Sequence, residues 1–378
     1  MLFGDNGTVT DTMIPAAAPA PLHDRTQRSF ASDNYSGVHP EVLMALAAAN
    51  EGHQVAYGED QYTARLQEVM EQHFGEGISI YPVFNGTGAN VLSLQSILPR
   101  WGAVICPRTA HINVDENAAP ERVGGMKLLP VATPDGKLTP ELIDKEAWGW
   151  GDQHRAQPLA VSITQTTELG TLYSVAEIKA IADHCHARGM RVHMDGARLA
   201  NAAAALGQPL RAFTRDAGVD ILSFGGTKNG LMFGECVVVL NQEASTGLDY
   251  LRKLNMQLAS KMRFVSAQLI ALLEGDLWIR SASHANAMAA RLTEGVRGIK
   301  GVTLTQETTA NAVFAILPPG AADRIRESFR FYDWDQSTGE VRWMCSFDTT
   351  EEDVDAFIEV IRTEAAAGPD TTRESAPE

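Results

Sequence analysis

The chain has 378 residues, of which 44% are hydrophobic and 21% are charged; this composition is typical of globular proteins, and the length exceeds that of one ordinary domain. Its 31 Lys and Arg residues against 47 Asp and Glu residues give a net charge of −16, which argues against a nucleic-acid partner because an acidic surface repels phosphates. No apolar run approaches the roughly 20 residues that span a bilayer, and four cysteines without a CxxC pair argue against structural zinc or disulfides, so we predict a cytoplasmic protein without membrane or metal sites.

The two ends of the chain differ in composition from the middle. Residues 1–28 are rich in alanine, proline and polar side chains and are predicted to form a mobile arm, and residues 369–378 are predicted to form a disordered tail. Residues 29–274 alternate strand and helix signals, which predicts a large α/β domain with a mostly parallel sheet. Residues 275–368 are predicted to form a smaller C-terminal α+β domain.

Short apolar runs bounded by breakers predict strands, and nearly continuous apolar character is typical of parallel strands covered on both faces. In the large domain these runs are Ile78–Phe84, Ala103–Cys106, Leu159–Ile163, Met190–Met194, Asp220–Phe224 and Cys236–Leu240. Helices are predicted to start at Pro40, near Thr87, at the capping box of Ser174 and after Arg198, with a long helix at Asn255–Glu274. The small domain is predicted to hold helices at Ala282–Val296, Ala321–Ser328 and from Thr350, and strands at Ala312–Leu317 and Val341–Cys345.

Two segments that directly follow predicted strands carry polar groups suited to a ligand. The segment Asn85-Gly-Thr-Gly-Ala-Asn90 opens a helix, and free backbone N–H groups beside a hydroxyl would cradle an anion there; an ordinary glycine-rich connection is the alternative. Asp195 ends a buried strand and needs a partner, because a buried carboxylate is costly when unpaired. A protonated pyridine nitrogen would be such a partner, and a salt bridge with Arg198 is the alternative.

A third segment, Phe224–Gly230, places Lys228 among glycines after an apolar strand. Glycines permit a tight turn, and a partly desolvated lysine can attack a carbonyl; a surface lysine in a turn is the alternative, and the nucleotide-binding GxxxxGK[ST] pattern is absent. The cradle, the carboxylate and the lysine together suit one ligand with a phosphate, a ring nitrogen and an aldehyde. We therefore expect pyridoxal 5′-phosphate as the cofactor.

Eight ordered motifs between about residues 30 and 362 resemble those of the low-specificity L-threonine aldolases, which have the aspartate-aminotransferase fold (fold type I). These motifs are Ala31-Ser-Asp-Asn34, Ser36-Gly-Val-His-Pro-Glu41, Tyr57-Gly-Glu-Asp60, Asn85-Gly-Thr-Gly88, Ser162-Ile-Thr-Gln-Thr-Thr-Glu168, His193-Met-Asp-Gly-Ala-Arg198, Gly226-Thr-Lys-Asn-Gly230 and Ser260-Lys-Met-Arg-Phe264. The resemblance implies a large domain with a mostly parallel sheet and a smaller C-terminal α+β domain.

The resemblance also implies roles in holding the cofactor. Lys228 would bond to the cofactor aldehyde, Asp195 would pair with the ring nitrogen, and Arg198 would hydrogen-bond the ring hydroxyl and line the substrate site. His111 would stack on the ring. The remaining residues of this group would bind the phosphate or flank the lysine: Gly86, Thr87, Gly88, Thr227 and Arg263.

For the substrate, the resemblance implies that Arg342 clamps the carboxylate, with Ser32 near it, and that His154 is a second active-site histidine. Tyr57 and Arg263 match positions that relatives can send into a neighbouring subunit, which implies a dimer at least and a homotetramer by analogy. Two departures, Thr164-Gln-Thr-Thr167 and Cys345-Ser346, leave the substrate preference open.

The activity implied is cleavage of L-threonine, L-allo-threonine and related β-hydroxy-α-amino acids to glycine and an aldehyde. His111, His154 or a water that they position would take the β-hydroxyl proton, since a neutral imidazole suits this task near pH 7. A phenylserine aldolase or a β-eliminating lyase of the same fold is the alternative, because the fold alone does not select the reaction.

Overall fold

The computed structural model describes residues 20–367. The predicted tail at 369–378 and residues 1–19 of the predicted arm lie outside the described residues. Residues 20–28 are exposed and contain turns, and Ser29 then pairs with Arg330 through an isolated β-bridge. The mobility of the arm stays a prediction.

Thirteen helices and eleven strands make up the described chain. The helices are α1 Pro40–Ala49, α2 Gln61–Phe74, α3 Gly86–Ile97, α4 His111–Val114, α5 Ala119–Arg122, α6 Pro140–Ile143, α7 Val175–His186, α8 Leu199–Leu206, α9 Leu248–Leu254, α10 Arg263–Leu273, α11 Leu277–Val296, α12 Ala321–Arg326 and α13 Glu351–Ala366. The strands are β1 Ser79–Val83, β2 Gly102–Pro107, β3 Lys127–Val131, β4 Gln157–Thr164, β5 Arg191–Gly196, β6 Ile221–Gly225, β7 Glu235–Val239, β8 Thr303–Leu304, β9 Ala312–Ile316, β10 Tyr332–Asp335 and β11 Glu340–Met344.

A seven-stranded sheet in the order β1-β7-β6-β5-β4-β2-β3 forms the centre of the larger unit. Only β7 runs against the other strands of this sheet, so the carboxyl ends of six strands meet at one edge. Apolar side chains cover both faces: Val192 and Met194 of β5 belong to one core cluster, and Leu92 of α3 packs with Val237 of β7 in another. The predicted α/β class with a mostly parallel sheet is confirmed.

A four-stranded antiparallel sheet, in the order β10-β11-β9-β8, forms a second unit with α11, α12 and α13. Its core contains Trp343, which packs edge-on against Phe357 at 5.4 Å between ring centroids. Phe30, from the segment before α1, stacks on Phe357 at 4.2 Å, so the chain start is anchored to this unit. The domain boundary between residues 274 and 275 stays a prediction.

Only the second part of the long helix predicted at Asn255–Glu274 forms, as α10. Helix α9 ends at Leu254 and α10 begins only at Arg263. Met256 between them has a φ of +60°, a left-handed conformation that interrupts a right-handed helix. The apolar periodicity predicts one helix over this range because no glycine or proline marks its non-helical first part.

Within residues 20–367, the structure contains no helix with both the length and the apolar character needed to cross a membrane. All four cysteines are buried and free. No group of three or more His, Cys, Asp or Glu side chains in this part of the chain is arranged to hold a metal ion.

A buried carboxylate ties the amino ends of β5 and β6 to α7. Asp220 is fully buried and accepts hydrogen bonds from His186 Nε2 at 2.9 Å, the Val192 N–H at 2.8 Å and Asn241 Nδ2 at 2.6 Å. The hydrogen bond from His186 and the others lower the pKa of Asp220 against the opposing effect of burial. The same contact raises the pKa of His186.

The His186–Asp220 pair is expected to make stability depend on pH. Because the pKa of folded His186 is raised, its contribution is fully present below the unfolded value of about 6.5 and is lost as pH rises through the folded pKa. Measurements of Tm between pH 5 and 9 should therefore show a decline on the alkaline side that becomes shallower in His186→Gln. The exposed control His53→Gln should keep the wild-type profile; an unaltered profile in His186→Gln would refute the linkage.

Candidate active site

The carboxyl edge of the large sheet gathers most of the side chains singled out in the sequence. Asp195 lies in β5, Lys228 directly follows β6, and Asn85 to Gly88 follow β1. His111 follows β2 at the same edge. Ligands of open α/β sheets bind outside the carboxyl ends of the strands, so the topology brings these residues to one site.

Lys228 lies on a short 3-10 turn, Thr227–Asn229, between β6 and β7. Burial of the amine and the positive charge of Arg198 lower its pKa, against the opposing negative charges of Asp33, Asp195 and Glu235. An amine with a lowered pKa is neutral in a larger fraction of molecules and is therefore a better nucleophile toward an aldehyde. Lys228 does lie in a turn, but its partial burial among these charged groups does not fit the alternative of a surface lysine.

Asp195 is buried next to this lysine, on the neighbouring strand. Its Oδ1 accepts the Ala197 N–H at 3.0 Å, and its Oδ2 accepts Asn90 Nδ2 at 2.9 Å. Arg198 does not pair with it: that guanidinium forms two hydrogen bonds with Asp33, at 2.7 and 2.9 Å. The alternative of an Asp195–Arg198 salt bridge is therefore wrong, and Asp195 has no cationic side chain as a hydrogen-bond partner among residues 20–367.

The turn into α3 has the shape of an anion cradle. The Asn85 side chain caps the helix by accepting the Gly88 N–H at 2.7 Å, and the N–H groups of Gly86 and Thr87 donate to no partner within the described chain. A side chain at Gly88 would collide with the amide of Gln257, so close packing explains this glycine. Gln257 also accepts the Phe84 N–H at 3.0 Å, which places its amide beside the cradle.

A hydrogen-bonded chain joins His111 to Asp195. Glu116, whose side chain is fully buried, accepts His111 Nδ1 at 2.8 Å and Asn90 Nδ2 at 2.8 Å through the same oxygen. Asn90 in turn contacts Asp195. The hydrogen bond to Glu116 raises the pKa of His111 in spite of its partial burial. Because Nδ1 donates to Glu116, the second ring nitrogen, Nε2, is the one available to a ligand.

Changing Glu116 to glutamine is expected to lower the pKa of His111, since the substitution removes the negative charge that stabilises the imidazolium. The measurement is a pH titration of the His111 ring protons by NMR. A control, Glu359→Gln on the exposed face of α13, should not alter the His111 titration. If both variants titrate alike, Glu116 does not set the charge state of His111.

Arg198 and Arg342 form a positively charged wall of the site. Asn311 also donates to Asp33, at 3.1 Å, and thereby holds the Arg198–Asp33 pair. Arg342 stands over the Trp334 ring at 4.9 Å, and its Nε is buried without a hydrogen-bond partner among the described residues. Burial and the nearby charge of Arg198 lower the pKa of Arg342 to about 10. A guanidinium without a carboxylate partner suits an anionic ligand group.

Three further residues were predicted for the site. Ser32 lies next to Asp33, whereas Tyr57 and Arg263 lie close to each other on a separate surface. Ser32 caps a short turn through its hydroxyl, which accepts the Asn34 N–H, directly before Asp33. Tyr57 is half-exposed with a φ of +61°, and its N–H donates to Ser260. Arg263 begins α10, near Tyr57 in space, and donates to the Gly52 carbonyl at 3.4 Å.

His154 is not brought to the site of its own chain. It is exposed and precedes β4, and its N–H donates to Asp152. The site lies at the other end of that strand, and eight residues at about 3.3 Å per residue separate the two ends by roughly 23 Å. This corrects the prediction for a single chain, because matching sequence spacing does not reveal which end of a strand a residue occupies.

Several polar residues of the site were missed in the sequence. These are Asp33, Asn90, Glu116, Glu168, Glu235, Gln257 and Asn311. Asp33, Asn90 and Glu168 lie inside the motifs quoted for the resemblance, so those motifs carry the signal for them. Glu116, Gln257 and Asn311 carry no local signal, because only the fold brings them near the motifs.

The geometry fits pyridoxal phosphate group by group. A buried amine, a buried carboxylate without a cationic partner, free N–H groups at a helix start and an imidazole stand at one sheet edge, as the aldehyde, ring nitrogen, phosphate and ring face of that cofactor require. This fold and site define a pyridoxal-phosphate-dependent enzyme of fold type I.

Comparisons with known proteins assign the chain within that class. The beta-eliminating lyase family model matches residues 29–317, and the chain belongs to this family. It is 44% identical to a low specificity L-threonine aldolase of Pseudomonas aeruginosa, over 90% of this chain and 99% of the relative. A second such aldolase, of a Pseudomonas species, is 44% identical over 92% of this chain and 100% of the relative. The solved structure of Leishmania major threonine aldolase superposes with a TM-score of 0.84 at 29% identity, covering 89% of this chain and 99% of that one.

Proposed function

We propose that this protein is a pyridoxal-phosphate-dependent aldolase that cleaves L-threonine, L-allo-threonine and related β-hydroxy-α-amino acids to glycine and an aldehyde. The observation that carries this proposal is Arg342, a buried guanidinium without a carboxylate partner among the described residues, at the site that contains Lys228. An amino acid substrate needs its amine at the cofactor and its carboxylate at such a cation. The aldolases named above, with 44% identity over nine-tenths of the chain, support the same reaction.

The residues of the chain have distinct tasks in this reaction. When bound, pyridoxal phosphate supplies an aldehyde and a ring that accepts electrons. Lys228 would hold the aldehyde carbon between turnovers, and Asp195 would keep a proton on the ring nitrogen by its negative charge. Gly86 and Thr87 would bind the phosphate, and the face of the His111 ring would cover the cofactor.

Two residues would act on the substrate itself. Arg342 would hold the carboxylate and so restrict rotation about Cα, which selects the bond presented for cleavage. His111 donates from Nδ1 to Glu116, and its Nε2, when unprotonated, can accept the β-hydroxyl proton. His154 cannot share this task within one chain. We infer that Arg198 would reach the ring hydroxyl through Nη1, since its other two nitrogens bind Asp33.

Self-association is proposed as well, with a homotetramer as the final state. Exposed large apolar residues around the Tyr57 segment support one contact surface: Leu43, Met44, Val55, Tyr57, Tyr250, Leu254 and Met256. Tyr57 and Arg263 lie on this surface, so both side chains would enter the active site of a neighbouring subunit. Arg263 would lie there near the cofactor phosphate. Exposed Trp101, Trp148 and Trp150 support a second surface beside the His154 loop. Sedimentation velocity should give a mass greater than that of the monomer. This mass should decrease in the variant Leu254→Glu, because a charge is placed on the contact surface.

The test of the reaction uses L-threonine, L-allo-threonine, phenylserine and serine with the cofactor-loaded protein. Glycine and acetaldehyde from threonine are the expected products. Release of 2-oxobutyrate and ammonia would show β-elimination instead, and strong preference for phenylserine would show the related aldolase.

A cytoplasmic location also stays a proposal, supported by the four free cysteines.

A further inference from the structure

Glu235 is a buried carboxylate that the proposed reaction does not use. It opens β7 and is 7% exposed, opposite Gly225 in the first residue pair of the β6–β7 hairpin. Its Oε2 accepts the Gly226 N–H at 2.9 Å. Burying a carboxylate costs free energy unless hydrogen-bond donors or positive charges surround it. The neighbours of Glu235 must therefore supply such groups.

Those neighbours are the residues that present Lys228. The hydroxyl and the N–H of Thr227 stabilise the charged carboxylate together with the Gly226 N–H, and so does the positive charge of Lys228. The Thr227 hydroxyl oxygen meanwhile accepts the Gly234 N–H at 3.1 Å, which leaves its proton free to donate. Glu235 therefore caps the turn Thr227–Asn229 at its start, two residues before Lys228.

The turn itself has little room to relax. A side chain at Gly226 would collide with Leu231 and with the Gly234 carbonyl. At the other end of the turn, Asn229 Nδ2 donates to the Trp278 carbonyl at 2.9 Å. The backbone on either side of Lys228 is thus fixed by one carboxylate before it and one amide contact after it.

We propose that Glu235 is a positioning residue for Lys228, which fixes the turn that carries the lysine and places a negative charge beside its amine. The inference rests on the proposed role of Lys228 as the cofactor lysine. Four charged groups act on this amine: Arg198, Asp33, Asp195 and Glu235. Glu235 differs from the other three in that it also binds the backbone of the turn. Burial raises the pKa of Glu235 to about 7, so the carboxylate carries its negative charge above neutral pH.

Three variants separate the charge from the hydrogen bonds. Glu235→Gln keeps an oxygen acceptor and removes the charge, Glu235→Ala removes both, and Glu235→Asp keeps the charge on a shorter side chain. Glu243→Gln, an exposed position beyond the far end of the same strand, is the matched control. The first measurement is the pH midpoint for acetylation of Lys228 in the full-length protein without cofactor, read by peptide mass spectrometry with exposed Lys179 as the internal standard.

In Glu235→Gln the midpoint for Lys228 is expected to move to lower pH, because a negative charge that stabilises the ammonium is lost, while Lys179 stays unchanged. The second measurement is the rate at which bound cofactor dissociates, which should rise about tenfold or more in Glu235→Ala, since hydrogen bonds to a charged group hold the turn. Glu235→Asp should recover part of both properties.

An unchanged Lys228 midpoint in Glu235→Gln would overturn the proposal, and this variant decides it even if Glu235→Ala does not fold. The amine titration is made without substrate and without turnover. A failed threonine cleavage assay would therefore contradict the proposed reaction and leave the role of Glu235 to its own test.

Discussion

Replacing Lys228 with alanine is expected to abolish the absorbance band of the covalently held cofactor and to lower threonine cleavage by on the order of 10³-fold or more. The variant removes the amine that is buried among Asp33, Asp195 and Glu235 with a lowered pKa. Lys137, which follows β3 at the same sheet edge, pairs instead with Glu177 at 2.7 Å. Absorbance spectra and steady-state rates with L-threonine measure the two effects.

The matched control for this substitution is Lys179→Ala. Lys179 lies on α7, where its side chain is 59% exposed and pairs with Asp183, and exposed pairs of this kind contribute little to stability. This variant should match the wild type in both measurements. A Lys228→Ala protein that kept the band of covalently held cofactor would show that another amine holds it.

Replacing Arg342 with alanine is expected to raise the KM for L-threonine about 10-fold to 100-fold, because hydrogen bonds to charged groups contribute roughly 1.5 to 3 kcal/mol. The cofactor should stay bound, since Lys228 and the phosphate cradle are untouched. Arg342→Lys should recover only part of the loss, because an ammonium cannot form the paired hydrogen bonds of a guanidinium.

The control for Arg342 is Arg362→Ala, on the exposed face of α13. The measurement is a full dependence of rate on threonine concentration, together with the cofactor content of each variant. An unchanged KM in Arg342→Ala would remove the carboxylate role from this residue. Loss of cofactor in that variant would also contradict the assignment, since it would place Arg342 at the cofactor.

Local patterns in the sequence were sufficient for most of the large sheet. The runs around β1, β2, β4, β5, β6 and β7 are nearly continuous in apolar residues, and the capping box of α7 is present as predicted. The same reasoning failed where a break has no local signal, at Met256. It also does not predict helix α2, an amphipathic segment between two loops.

The sequence by itself determined the class of fold and the cofactor and predicted the three segments that would bind it, because apolar runs, glycines and one lysine act through neighbours in the chain. Only the tertiary structure decided that Arg198 pairs with Asp33, that Glu116 orients His111, and that His154 stands at the far end of its strand. Ion pairs and hydrogen bonds between side chains form across gaps of many residues in sequence. Their partners are therefore chosen by how the strands are ordered, which no single motif contains.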